Sequence, residues 1–113
     1  MTDSNAIDAT TINSLKEIMG DAFEIVVNTF IDDTGKLVTS LAELQQQNDI
    51  EVFTRNVHSI KSSSANLGAL QLSSLAAELE AQGKSGDISG VTEKITEVNN
   101  LFSKACEELS ALN

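Results

Sequence analysis

The sequence predicts an all-α fold: an antiparallel up-down four-helix bundle with a short N-terminal capping helix. Three observations support it. The 113 residues contain no proline, whereas a turn-rich β-fold of this length would normally use several. Apolar residues recur at three- and four-residue steps through four substantial segments, the period of a helix with one buried face. The breaks between these segments are short, which sets consecutive helices antiparallel and side by side.

Residues 1–9 are polar and read as frayed. A short helix is expected from about Thr11 to Met19, with Ile12, Leu15, Ile18 and Met19 on one side and Gly20 ending it. Asp21-Ala-Phe-Glu24 has the spacing of a capping box, in which Asp21 caps and Glu24 reaches back. Phe23, Val27, Phe30, Leu37, Leu41 and Leu44 then keep the three-four spacing, with Thr34 in the gap, so one long helix is expected over about 22–47. Gly35 lies inside it at a cost of about 1 kcal/mol relative to Ala. A break at Gly35 is the alternative; the unbroken register favours continuity.

Asn48-Asp49 marks a turn, and Asp49 is a good N-cap for a helix over about 50–67 that Gly68 ends. Leu72, Leu75, Ala76 and Leu79 define the next helix, about 69–82. Gln82-Gly-Lys-Ser-Gly86 is the clearest loop in the chain. Ile88, Val91, Ile95, Val98, Phe102, Ala105, Leu109 and Leu112 then form a continuous seam for a last helix over about 88–112. No repeat or linker interrupts this order, and the whole length, 1–113, reads as one domain with one core.

Composition excludes several classes of function. Seven Lys and Arg against 17 Asp and Glu give a net charge of −10. That argues against nucleic acid or an anionic membrane as partner, since both demand a basic face. With no Trp or Tyr and only 4 Phe, base-stacking platforms are not expected. The one cysteine, Cys106, excludes an internal disulfide and a multi-cysteine zinc site. It flanks the last seam and reads as a small buried hydrophobe. No signal peptide or membrane-spanning run is visible, so a cytoplasmic, reducing location is expected.

The third helix carries the chemistry. Phe53, Val57, Ile60, Ser64 and Leu67 fall on its core stripe. Measured from Phe53, His58 lies about 140° around the helix, Lys61 about 80°, Ser62 about 180° and Arg55 about 200°. The only histidine therefore points away from the core. Arg55 and Lys61 flank it at one turn on either side. Residues 52–77 contain no Asp or Glu, although an exposed face of so acidic a chain would ordinarily mix signs. Ser62, Ser63, Ser64 and Ala65 follow, all small. Ser64 is expected to bond the carbonyl of Ile60, and Ser62 leaves the imidazole clear for a large partner.

A lone exposed histidine is by default ordinary surface. Here a neutral imidazole, a good nucleophile near neutral pH, stands between two cations that disfavour its protonated form and favour an attached anion. A transferable phosphoryl group fits those demands. General acid–base catalysis fits less well, because no carboxylate lies nearby in sequence to orient the ring. A metal site lacks ligands.

His58-Ser-Ile-Lys61-Ser62-Ser63-Ser64, followed by Asn66-Leu67-Gly68-Ala69, resembles the signature of histidine-containing phosphotransfer (HPt) domains: His, two residues, Lys, Gly, then small residues. The resemblance covers essentially the whole chain. It implies that His58 accepts a phosphoryl group from the aspartate of one receiver domain and passes it to the aspartate of another. By the same resemblance, Lys61 steadies the phosphoryl oxygens and Ser62, where the family usually has Gly, permits close approach. The docking face would include Thr54, Arg55 and Ala65. The implied partners are the receiver domains of response regulators and of a hybrid sensor histidine kinase. The receiver would supply magnesium, with no intrinsic cofactor. No nucleotide-binding motif is present, so ATP-dependent self-phosphorylation is not expected. A monomer is expected, read as a free-standing module, with a piece of a larger hybrid sensor kinase as the alternative. A module that docks receivers without turnover, or an unrelated helical assembly domain, are the alternatives.

Overall fold

Asp8 starts the first helix. Its Oδ2 accepts the Thr11 N–H at 3.0 Å and the Thr11 hydroxyl at 2.6 Å, satisfying an amide that the first turn leaves free. The computed structural model describes residues 7–111, and α1 runs Ala9–Met19, two residues longer at its start than expected. Ile7 is not frayed: it is buried, and its N–H donates to Glu108 Oε1 at 3.0 Å. The Asp8 N–H donates to the Gly68 carbonyl at 2.7 Å. Residues 1–6 of the stretch expected to fray lie outside the described residues. Ile12 is buried as expected, but Ile18 is 80% exposed.

Gly20, at φ 57°, ends α1, and α2 follows over Ala22–Thr29. The expected capping box does not form. Asp21 already has helical dihedrals and makes no cap bond, and the Phe23 N–H it could have taken goes to the Gly20 carbonyl at 3.1 Å.

The long second helix is continuous, as the register implied, but its middle is wound as a π-helix over Phe30–Thr34 before α3 takes over at Gly35–Gln47. Thr29, Thr34 and Gly35 all keep helical dihedrals, so Gly35 is no break. The wide turns explain a shift in the core stripe. Phe30, Thr34 and Val38 are all buried, and the wide π turn, with more residues per turn than an α-helix, brings these four-residue steps into closer register on one face. Val38 therefore takes the core position expected of Leu37, which packs at the margin. Gly35 faces Phe102 of the last helix: a Cβ there would stand 3.4 Å from Phe102 Cζ, an ordinary contact.

Asn48, left-handed at φ 54°, ends α3, and Asp49 caps α4 (Ile50–Asn66) by accepting the Val52 N–H at 3.3 Å. Phe53, Val57, Ile60, Ser64 and Leu67 are buried, the stripe expected of them. The Ser64 hydroxyl, however, has no partner among the described residues, so the expected bond to Ile60 is not made. The core position uses the small volume of Ser64 and its carbonyl, which accepts the Leu67 and Ala69 N–H groups at 3.2 and 2.8 Å to close the helix. Gly68 turns the chain at φ 77°, and a Cβ there would press on Thr11 Cβ at 3.2 Å and the Asp8 carbonyl at 3.3 Å.

The last two helices differ from expectation at their facing ends. α5 runs Leu70–Lys84, through the first half of the expected loop, because Gly83 is buried in its last turn against Thr54 of α4. α6 runs Thr92–Ala111 and starts four residues late. Ile88 and Val91 are buried as the seam required, but they sit in the preceding loop. Gln45 Nε2 takes the Ile88 and Ser89 carbonyls at 3.0 and 3.3 Å, and Asp87 Oδ1 takes the Ser89 N–H at 3.0 Å. These side-chain bonds compete with a helical turn. Leu112 lies outside the described residues.

The helices pack in a closed circuit, α3 on α4, α4 on α5, α5 on α6 and α6 on α3, with α1 against α2. Cys106 is half-buried, and burial pushes its thiol up to about 11. Among the described residues no helix is long and apolar enough to cross a membrane.

Candidate functional site

α4 and α5 come close because a residue without a side chain faces a short one. Thr54 Oγ1 turns back to donate to the Ile50 carbonyl at 2.7 Å, and its side chain lies over Gly83, where a Cβ would collide with it. One turn further along α4, on the same side, stands His58. One turn back along α5 from Gly83 stands Glu80. The close approach at Thr54–Gly83 brings the second pair within bonding distance.

His58 Nδ1 lies 2.7 Å from Glu80 Oε2. A carboxylate can only accept, so the Nδ1 nitrogen carries the proton and donates. The neutral ring then holds its lone pair on Nε2, which has no partner among the described residues. The imidazole is 58% exposed while the Glu80 side chain is 8% exposed. Lys61 Nζ donates to the other carboxylate oxygen, Oε1, at 2.6 Å, and Lys84 Nζ stands 3.5 Å from Oε2. Glu80 is thus a buried anion met by two cations and one imidazole. The Lys61 hydrogen bond is the main cause that holds its carboxyl down at about 2, with His58 and Lys84 helping and burial opposing.

The expected site residues fall into two groups. His58, Arg55, Ser62 and Ala65 are exposed on one face of α4. Thr54 is half-buried, because it packs on Gly83, and so forms the floor of the groove beside His58 and not an open docking surface. That groove runs between α4 and α5, walled by Ile50, Glu51 and Arg55 on one side and by Gly83 and Lys84 on the other. The positive patch seen in the sequence is also modified. Lys84 adds a third cation, and Glu80 places a carboxylate against the ring.

Glu80 is the residue that sequence reasoning missed. The cleared stretch 52–77 is real in sequence, but space is filled from another helix. A signal was present: Leu72, Leu75, Ala76, Leu79 and Gly83 are buried on α5, and Glu80 shares that burial. An acid on an apolar stripe calls for a partner. Among the described residues no group of three or more metal-ligating side chains gathers.

The arrangement offers one exposed nitrogen lone pair, a fixed proton on the other ring nitrogen and cations nearby. It suits transfer of an anionic group between this ring and a partner that brings the rest of the chemistry. Comparison with known proteins agrees. The family model for the Hpt domain matches residues 26–111. No curated protein matches the chain significantly. Among solved structures, histidine-containing phosphotransfer protein B from Pseudomonas aeruginosa superposes with a TM-score of 0.89 at 25% identity, covering 96% of this chain and 95% of that one. The chain therefore belongs to the Hpt domain family, whose members work with the receiver domains of response regulators and kinases, and its role is histidine phosphotransfer in a phosphorelay.

Proposed function

We propose that His58 is the phosphoryl carrier, accepting the group on Nε2 from a receiver-domain aspartate and passing it to the aspartate of another receiver. The observation that carries this is the ring itself. His58 is the only histidine in the chain, it is exposed, and Nδ1 is occupied by Glu80, which leaves Nε2 for the reaction. The protein contributes a positioned nucleophile, chiefly a proximity effect. The receivers contribute the aspartates and the magnesium.

Lys61 steadies the phosphoryl oxygens once they arrive, turning from Glu80 to do so; Lys84 remains beside the carboxylate. Ser62, in place of the family's usual glycine, leaves room for the receiver. Arg55 and Ala65 border the docking face, and Thr54 supports it from below. The architecture is an antiparallel up-down four-helix bundle capped by α1. The short α3–α4 and α4–α5 connections and the closed packing circuit support that topology. The protein acts as a monomeric single domain in the cytoplasm.

Incubation with phosphoramidate, read by intact mass, tests the assignment. A single acid-labile phosphoryl adduct is expected, absent from a His58→Gln variant. If the small donor gives none, a phosphorylated receiver is used instead. No adduct from either donor, with receiver binding intact, would leave a docking module without turnover and overturn the proposal.

A further inference from the structure

Glu80 is the only charged side chain among the described residues that is buried in the core. Burying a carboxylate is costly unless it is paired and hydrogen-bonded. Lys61 at 2.6 Å and Lys84 at 3.5 Å already match that charge with two cations. The remaining bond, 2.7 Å to His58 Nδ1, is not needed for neutrality. It acts on the ring.

We propose that Glu80 is a positioning residue that sets where the phosphoryl group rests. It fixes the proton on Nδ1, and it faces the charge the ring acquires, so the equilibrium between aspartyl phosphate and phosphohistidine shifts toward the histidine. This deepens the reading of His58 as the carrier and rests on it.

The balance of the step shows why. The Nε2 lone pair attacks phosphorus. The N–P bond forms as the bond between phosphorus and the aspartyl oxygen breaks. The electron pair stays on that oxygen and regenerates the carboxylate. No proton leaves the imidazole, because Nδ1 keeps its own, so the phosphorylated ring gains a positive charge. The Glu80 carboxylate is then in hydrogen-bonding contact with a cation in place of a neutral donor, so the attraction of opposite charges is added to the hydrogen bond and favours the charged ring. Lys61, Lys84 and Arg55 oppose the ring's charge but attract the phosphoryl oxygens. Glu51 lies two turns back on the same helix as His58, on the wall of the groove that Arg55 shares, and makes no bond to the ring.

Two measurements test this. The first uses the unphosphorylated protein, labelled with nitrogen-15, at a pH where His58 is neutral. A free imidazole side chain in water favours the proton on Nε2; here the Nδ1–H form should dominate. An Nε2–H majority would overturn the proposal whatever the phosphorylation assay shows. The second uses a Glu80→Gln variant equilibrated with a phosphorylated receiver. Its ratio of phosphohistidine to aspartyl phosphate should fall by about three- to tenfold, the range for removing the opposite charge in contact with a half-exposed cationic ring.

An unchanged ratio would refute the proposal. So would a rise, which would show that Glu80 acts mainly by holding Lys61 away from the phosphoryl group. A Lys84→Gln variant removes a partner of Glu80 without touching the ring and should keep the Nδ1–H majority. Should Glu80→Gln fail to fold, Glu80→Asp retains the charge but shortens the reach, and its Nδ1–H share should drop. Failure of phosphorylation itself would fall on the carrier assignment, which the tautomer measurement does not need.

Discussion

Replacing Gly83 by alanine sets two effects of known size against each other. Gly83 lies in the last turn of α5, where alanine should stabilise the helix by about 0.8–1 kcal/mol. Against this, the new Cβ would overlap Thr54 Oγ1 and stand 3.1 Å from Thr54 Cβ. Rotating Thr54 does not relieve the clash. Its Cβ is fixed to the backbone of α4, so the 3.1 Å contact remains whichever way the hydroxyl turns. The helices must separate by several tenths of an ångström. Overpacking of this kind costs about 1–3 kcal/mol, so the net expectation is a loss of up to about 2 kcal/mol. For a domain of this size that is a fall in Tm of up to roughly 8 °C.

Thermal unfolding followed by circular dichroism gives the loss. A Thr54→Ala/Gly83→Ala double variant removes the colliding oxygen and keeps the Cβ, so it should recover part of the loss, with a coupling of about 0.5–1 kcal/mol. Separation at Thr54–Gly83 should also lengthen the 2.7 Å contact between His58 and Glu80, seen as a smaller Nδ1–H share in nitrogen-15 spectra. A Gly83→Ala protein that melts higher than the wild type, by the amount propensity alone predicts, would refute close helix approach as the reason for this glycine.

Gly35→Ala provides the contrast: its Cβ would meet Phe102 at 3.4 Å in helical backbone, an ordinary contact, so a gain of about 0.5–1 kcal/mol in urea unfolding is expected. Lys61→Ala should slow transfer or shorten phosphohistidine lifetime without abolishing phosphorylation, since a partly exposed Lys–anion pair contributes about 0.2–1 kcal/mol; a variant as inert as His58→Gln would show a larger role. Glu80 also gives a pH signature. Its folded value of about 2 lies below its ordinary 4.5, so its contribution is fully present above pH 4.5 and is lost as pH falls toward 2. The Tm difference between wild type and Glu80→Gln should shrink over that window.

The α4 reading held because everything it used lay on one helix. At about 100° per residue, the core stripe from Phe53 to Leu67 fixes the outward direction of His58, and Asp49 and Gly68 mark the helix ends. The same periodicity found the long second helix, but it could not show that Phe30–Thr34 is underwound and so placed Leu37 where Val38 belongs. Loop ends depended on partners distant in sequence. Gln45 holds the Ile88 and Ser89 carbonyls out of α6, and Thr54 gives Gly83 a reason to be helical that glycine's propensity would deny it.

Local spacing placed the proposed carrier, His58: its exposure and its neighbours at three residues follow from the helical repeat. The ring's orientation was settled elsewhere, by a carboxylate 22 residues away whose reach depends on the separation of two helices. That separation is set by the volumes of Thr54 and Gly83 meeting across the interface, and a one-dimensional pattern does not contain which side chains meet.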